Sequence, residues 1–154
     1  MGQHGQSQGK RIALIVEGLP AVEKLILDAF TQTDFVCNAV VVRDGVEALD
    51  YLLCRGAYAE RDAHVMPCVT LLDLSLPRLE GLKVLRELRA NGTTRLMPVV
   101  AFSSSNEHRD VPSIYEGGAN SYISKAPESE SFIGSIKQLA YYWCVVNEPP
   151  PVLV

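Results

Sequence analysis

Short aliphatic runs recur along this chain, and each is apolar on both of its alternating faces. Arg11 to Val16 reads R-I-A-L-I-V, and Cys37 to Val42 reads C-N-A-V-V-V. Cys68 to Leu72, Pro98 to Phe102 and the shorter Ser121 to Ser124 repeat the pattern. A strand with two apolar faces must be covered on both sides, which is the condition of a strand inside a parallel sheet. Between the runs lie stretches with helical spacing. Val22, Leu25, Ile26 and Ala29 form one stripe. Val46, Leu49, Tyr51, Leu52 and Leu53 form a second, and Leu82, Val84, Leu85 and Leu88 a third. Strand and helix alternating about five times predict an α/β, doubly wound, flavodoxin-like fold: a five-stranded parallel sheet with helices on both faces.

The local punctuation agrees. Asp44 followed by Glu47 offers a capping box, and that helix is expected to stop near Gly56. Leu76-Pro77 breaks the chain before a helix that opens at Gly81 and ends at Asn91-Gly92. Asp110 is expected to cap a short helix from Val111 that closes at Gly117-Gly118. The last helix is expected from about Ser129 to Val146, where Pro149-Pro150-Pro151 forbids continuation. With 154 residues there is room for one domain. The expected division is a mobile polar tail over 1–10, a domain over 11–148 and a Pro-rich tail over 149–154, with no output module after it.

Composition excludes several functions. The chain is 47% hydrophobic, which rules out a disordered segment, and no apolar run is long enough to span a bilayer. The net charge of -4, without a basic block, argues against a nucleic-acid surface. The Gly/Gln-rich N-terminus has no apolar core of a secretory signal. A cytoplasmic protein without nucleic-acid or membrane contacts is expected. The 4 cysteines, Cys37, Cys54, Cys68 and Cys144, show no C-x-x-C pair. They read as free thiols, three of them in apolar surroundings, while a redox or metal role stays open. His4, His64 and His108 have no ligand spacing and read as surface residues. No role is assigned to Arg55 or Tyr58.

In a doubly wound sheet, ligands bind beyond the C-terminal ends of the strands. The residues that end the strands are Glu17, Asp73, Ser103 and Lys125. Two acids attract a hard divalent cation, while a hydroxyl and an ammonium suit phosphoryl oxygens. Any one of them alone is an ordinary solvent-facing residue; the four together are a phosphate-and-cation set.

These residues carry a resemblance. L-I-V-E (Leu14 to Glu17), V-T-L-L-D-L-S-L-P (Val69 to Pro77) with Gly81, P-V-V-A-F-S-S (Pro98 to Ser104) and S-Y-I-S-K (Ser121 to Lys125) resemble the receiver domains of two-component response regulators. The resemblance runs from Arg11 to about Val146. R-D-G-V-E-A-L-D-Y-L, C-R-G-A-Y and Y-W-C-V-V-N-E-P-P-P are similar to single-domain regulators that partner phytochrome-type kinases. The resemblance implies that Asp73 is the phosphoacceptor, receiving a phosphoryl group from a sensor histidine kinase. Glu17, Asp73 and the Ser75 backbone carbonyl would hold Mg2+. Ser103 would be the switch hydroxyl, Lys125 the phosphoryl-pairing lysine and Tyr122 the aromatic switch.

Two positions depart from the family pattern. Its second acidic metal position is Gly18 here, so weaker Mg2+ binding and slower phosphorylation are expected. The residue after Lys125 is Ala126 rather than proline, so a differently shaped loop is expected there. On the last helix, Phe132, Ile136, Leu139, Trp143 and Val146 form a stripe expected to pack on the sheet; Ile133, Ala140 and Cys144 widen it, and Tyr141, Tyr142 and Val145 add apolar area elsewhere. A helix so broadly apolar is expected to serve a homodimer as well, through Phe132, Ile136, Ala140, Trp143 and Cys144. The chain is thus expected to be a non-enzymatic signalling switch acting through conformational or dimer change. An alternative is a pseudo-receiver that binds proteins with little or no phosphorylation. A flavodoxin-like carrier is disfavoured by Glu17-Gly18-Leu19-Pro20, which would repel a phosphate. A haloacid-dehalogenase-like phosphatase would want an acid at Ser75.

Overall fold

The computed structural model describes residues 11–35, 37–76, 78–104, 111–125 and 130–152, leaving aside the side chains of Ser104, Lys125 and Glu130. Five strands form one sheet: β1 Arg11–Val16, β2 Cys37–Val42, β3 Val69–Asp73, β4 Val99–Ser104 and β5 Ser121–Lys125. The order is β2-β1-β3-β4-β5 and every pairing is parallel. Five helices alternate with them: α1 Pro20–Thr31, α2 Gly45–Leu52, α3 Gly81–Ala90, α4 Val111–Glu116 and α5 Glu130–Tyr141. The expected doubly wound fold is therefore the observed one.

The period-two pattern of the strands divides the core. Leu14, Val16, Leu72, Val99 and Ala101 point to one face, where they meet α2, α3 and α4 through Leu49, Leu52, Val84, Leu85, Leu88 and Ile114. Ala13, Ile15, Val69, Leu71, Val100 and Phe102 point to the other, where α1 and α5 supply Val22, Ile26, Phe132 and Ile136. Burying a fully enclosed Leu or Ile contributes roughly 1.5–3 kcal/mol, so both faces hold the sheet.

Local chemistry sets the ends of the elements. Asp44 caps α2, its Oδ1 accepting from Glu47 N–H at 2.8 Å. In return Arg43 N–H, one residue before the cap, donates to Glu47 Oε2 at 3.3 Å, while Glu47 Oε1 accepts from the Tyr58 hydroxyl. That contact gives Tyr58 a structural role. A single 3-10 turn, Gly56–Tyr58, follows α2. Arg61 then lies over the Tyr51 ring at 4.3 Å and donates to the Tyr51 carbonyl, which anchors the polar connection to β3.

Two expectations need correction. The last helix is not regular to Val146: after Tyr141 it widens into a π turn, Tyr142–Val146, with Asn147 N–H donating to the Tyr142 carbonyl at 2.7 Å. Arg11 at the start of β1 explains the end of the helix, donating to the Cys144 carbonyl at 2.6 Å and to that of Asn147. Second, Phe132, Ile136, Ala140 and Cys144, expected on a dimer surface, are buried within the protomer against the sheet. Trp143 is half-buried there, and the outward residues are Tyr141, Tyr142, Val145 and Val146. The four cysteines are free thiols, as expected, and three that are distant in sequence, Cys37, Cys68 and Cys144, converge. The expectations for the 1–10 tail, the Asp110 cap, Ala126 and Ser129 lie outside the described residues.

Asp44 also pairs with Arg78 at 2.9 Å, tying α2 to the loop after β3. Burial pushes its carboxyl up, but Arg78 and the N–H groups of Glu47 and Val46 outweigh that and hold it below its ordinary value. A lowered folded pKa means that the stabilisation is complete above the unfolded value, about 3.9, and is lost as pH falls through the folded one. Asp44→Ala should cost about 1 kcal/mol at neutral pH. Urea unfolding across pH should show wild type and variant converging in acid.

Candidate functional site

Parallel pairing brings the predicted residues to one end of the sheet. Val16 pairs with Leu72, so Glu17 and Asp73 leave adjacent strands at the same level, about 4.8 Å apart in strand spacing. Asp73 pairs with Phe102, and Ser103 follows immediately. Glu17 and Ser103 are fully enclosed and Asp73 is 2% exposed. Ionised groups so deeply buried are costly unless hydrogen bonds or cations compensate them.

The backbone supplies part of that compensation. Ser75 N–H donates to Asp73 Oδ1 at 2.9 Å, an Asx-type turn that fixes the rotation of the carboxylate. Ser75 itself is exposed, at the mouth of the site. Glu17 Oε1 accepts from Leu19 N–H at 3.0 Å, so the longer acid folds back across Gly18, where the family pattern has its second acid. Gly18 is half-buried and is not among the residues with positive φ.

Glycine is required where α3 begins. A Cβ on Gly81 would lie 2.6 Å from both the Asp73 carbonyl oxygen and Leu74 Cα. The first turn of α3 therefore rests directly on the backbone of Asp73 and Leu74. This tight contact explains Gly81 better than a turn requirement does.

Ser103 and Tyr122 are already joined. Their hydroxyl oxygens are 2.6 Å apart, and the Tyr122 ring packs against the core on the α2–α4 face. The ring is thus turned inward in this structure. Lys125 ends β5 opposite Ser104, one residue beyond the level of Ser103; its side chain lies outside the described residues. Glu17, Asp73, Ser103 and Tyr122 are brought together as the sequence suggested. The Asp44–Arg78 pair, which ties α2 to the loop after β3, is not legible in the sequence: Arg78 carries no periodic or motif signal.

The donor set is one of oxygens: two buried carboxylates at one level and the backbone around Ser75. Hard oxygens of this kind suit a small divalent cation rather than a soft one.

Comparison with known proteins agrees with this chemistry. The model of the response regulator receiver domain matches residues 13–137. The probable methanogenesis regulatory protein FilR2 of Methanothrix harundinacea is 32% identical over 139 residues, covering 90% of this chain and 87% of that protein. The response regulator Rcp1 of Synechocystis is 27% identical over 138 residues, 90% of this chain and 92% of Rcp1. Its Mn(2+)-bound crystal structure superposes with a TM-score of 0.82 at 26% identity, over 91% of this chain and 99% of that one. The phosphorylated cyanobacterial phytochrome response regulator RcpA superposes with a TM-score of 0.83 at 31% identity, over 92% and 99% of the two chains. With a family model spanning most of its length and a buried acid set at the sheet's C-terminal edge, the chain belongs to the response regulator receiver domain family.

Proposed function

We propose that this chain is a two-component receiver that takes a phosphoryl group from a sensor histidine kinase onto Asp73. The observation that carries this reading is the enclosed Asp73 carboxylate, held by Ser75 N–H, with buried Glu17 beside it and the Ser103 hydroxyl on the next strand. A carboxylate oxygen of Asp73 attacks the phosphorus of a phosphohistidine. The phosphorus–nitrogen bond breaks as the new phosphorus–oxygen bond forms, and the electron pair returns to the imidazole. The chain's contribution is position: the Asx turn fixes the attack direction, and the buried acid set excludes bulk water.

Glu17, Asp73 and the Ser75 carbonyl would hold the divalent cation, Mg2+ in this reading. When bound, it neutralises charge on the acceptor and the phosphoryl oxygens. Ser103 can donate its proton to a phosphoryl oxygen while accepting from Tyr122, since a hydroxyl has one donor and two lone pairs. Lys125 supplies the opposing positive charge. The inward Tyr122 therefore reports on the hydroxyl that meets the phosphoryl group.

The similarity to Rcp1 and RcpA, together with the C-R-G-A-Y and Y-W-C-V-V-N-E segments, supports a phytochrome-type kinase as partner. No helix among the described residues is long and apolar enough to cross a membrane, and the reading puts the chain in the cytoplasm. A homodimer would use the exposed Tyr141, Tyr142, Val145 and Val146 around the end of α5. Gly18 favours a second reading, a receiver that binds partners with little phosphorylation.

One experiment separates the two. Incubation with acetyl phosphate and the divalent cation, read by intact mass, should add one phosphoryl group to the native chain and none to Asp73→Asn; no addition to either leaves the binding module. Restoring the missing acid with Gly18→Asp should tighten Mg2+ binding and speed labelling by roughly tenfold, about 1.4 kcal/mol. An unchanged rate would mean that Glu17 already compensates. Val145→Asp, at an exposed position, should lower self-association in sedimentation while leaving the unfolding midpoint nearly unchanged.

A further inference from the structure

The three converging cysteines lie at the pole of the sheet opposite Asp73. Cys37 opens β2, Cys68 directly precedes β3, and Cys144 sits in the π turn after α5. Cys144 Sγ is 3.0 Å from Cys37 Sγ and 3.2 Å from Cys68 Sγ. All three sulfurs lie within 4.8 Å of one another.

Several features point beyond ordinary thiol packing. A disulfide would join two of these sulfurs and leave the third against it. A three-coordinate metal uses all of them: metal–sulfur bonds of about 2.3 Å place the sulfurs about 4 Å apart, within an ångström of the observed contacts. Among the described residues no imidazole or carboxylate joins the group, so its preference is for a soft ion. The π turn aims Cys144 at the sheet, and Arg11 locks that turn by its bond to the Cys144 carbonyl; such widened turns are frequent at functional sites. The arrangement is also reachable. Cys68 and Arg11 line a cavity of about 300 Å3 whose other walls include Pro67 and Pro149 to Pro151.

We propose that Cys37, Cys68 and Cys144 form a binding site for one thiophilic d10 cation, Zn(II) or Cu(I). Binding forms three metal–sulfur bonds and releases the thiol protons to solvent, with no change in sulfur oxidation state. With Zn(II), a water entering from the cavity completes the usual fourth position. The ion would tie β2, β3 and the end of α5 together, so occupancy stabilises the fold.

The test uses the full chain, reduced by a phosphine without added thiol and held free of oxygen. Zn(II) and Cu(I) are each titrated against a chromophoric chelator, and the melting temperature is followed. The expected result is one equivalent bound at nanomolar affinity or tighter for at least one of the ions, with a raised melting temperature. Cys144→Ser and, at the half-buried position, Cys37→Ser should each weaken binding by at least roughly 100-fold. Cys54→Ser, outside the cluster, should leave it unchanged. Far-ultraviolet circular dichroism and cooperative melting of the metal-free variants check that they are folded, and acetyl phosphate labelling of Asp73 separates this site from the receiver chemistry. Binding of both ions no tighter than micromolar, or equal affinity in the folded Cys37→Ser variant, overturns the proposal. So does binding that Cys54→Ser abolishes.

Discussion

Parallel strand registry is the constraint on which the rest of this molecule depends. Because β1, β3 and β4 run in the same direction and pair level with one another, their final residues are forced together at one edge. Glu17, Asp73 and Ser103 owe their company to that registry and not to any local motif. Both faces of the sheet are sealed by apolar helices, so the polar residues at its edge are enclosed rather than washed by solvent. Enclosure makes an ionised carboxylate costly unless hydrogen bonds or a cation compensate it.

Much of this was legible in the chain itself. The strands betray themselves because Ala13 to Val16 must be apolar at every position to satisfy two cores, a pattern an amphipathic helix cannot produce. The acid pair was legible for the same reason: a polar residue ending such a run can only lie at the sheet's edge. What stayed hidden depended on contacts between distant segments. The three-cysteine cluster joins residues up to 107 positions apart, and spacing says nothing about such a meeting. Phe132 and Ile136 pack on the sheet as the stripe of the last helix predicts, but the breadth around that stripe does not locate a dimer surface: the outward residues are the tyrosines and valines at the helix end. Periodicity finds a stripe but does not say how many neighbours it has. The inward orientation of Tyr122 was equally hidden, because it is a choice of rotamer and not of residue.

The molecule thus has two poles with opposite chemical character. Hard oxygens gather where the strands end, and soft sulfurs gather where they begin. The segment after α5 belongs to the sulfur pole, although α5 itself packs along the sheet with α1. At the oxygen edge the Ser103 hydroxyl is hydrogen-bonded to that of Tyr122, whereas the sulfur edge is fixed by Arg11 and the π turn.

The Arg11 clasp has a practical corollary. By binding the Cys144 and Asn147 carbonyls from 133 and 136 residues away, it brings the beginning of the sheet and the end of the last helix to the same side of the molecule. A fluorophore or surface tether attached at the start of β1 or at the end of the π turn would therefore sit far from the acidic edge. Such a label would leave that edge open to an incoming kinase.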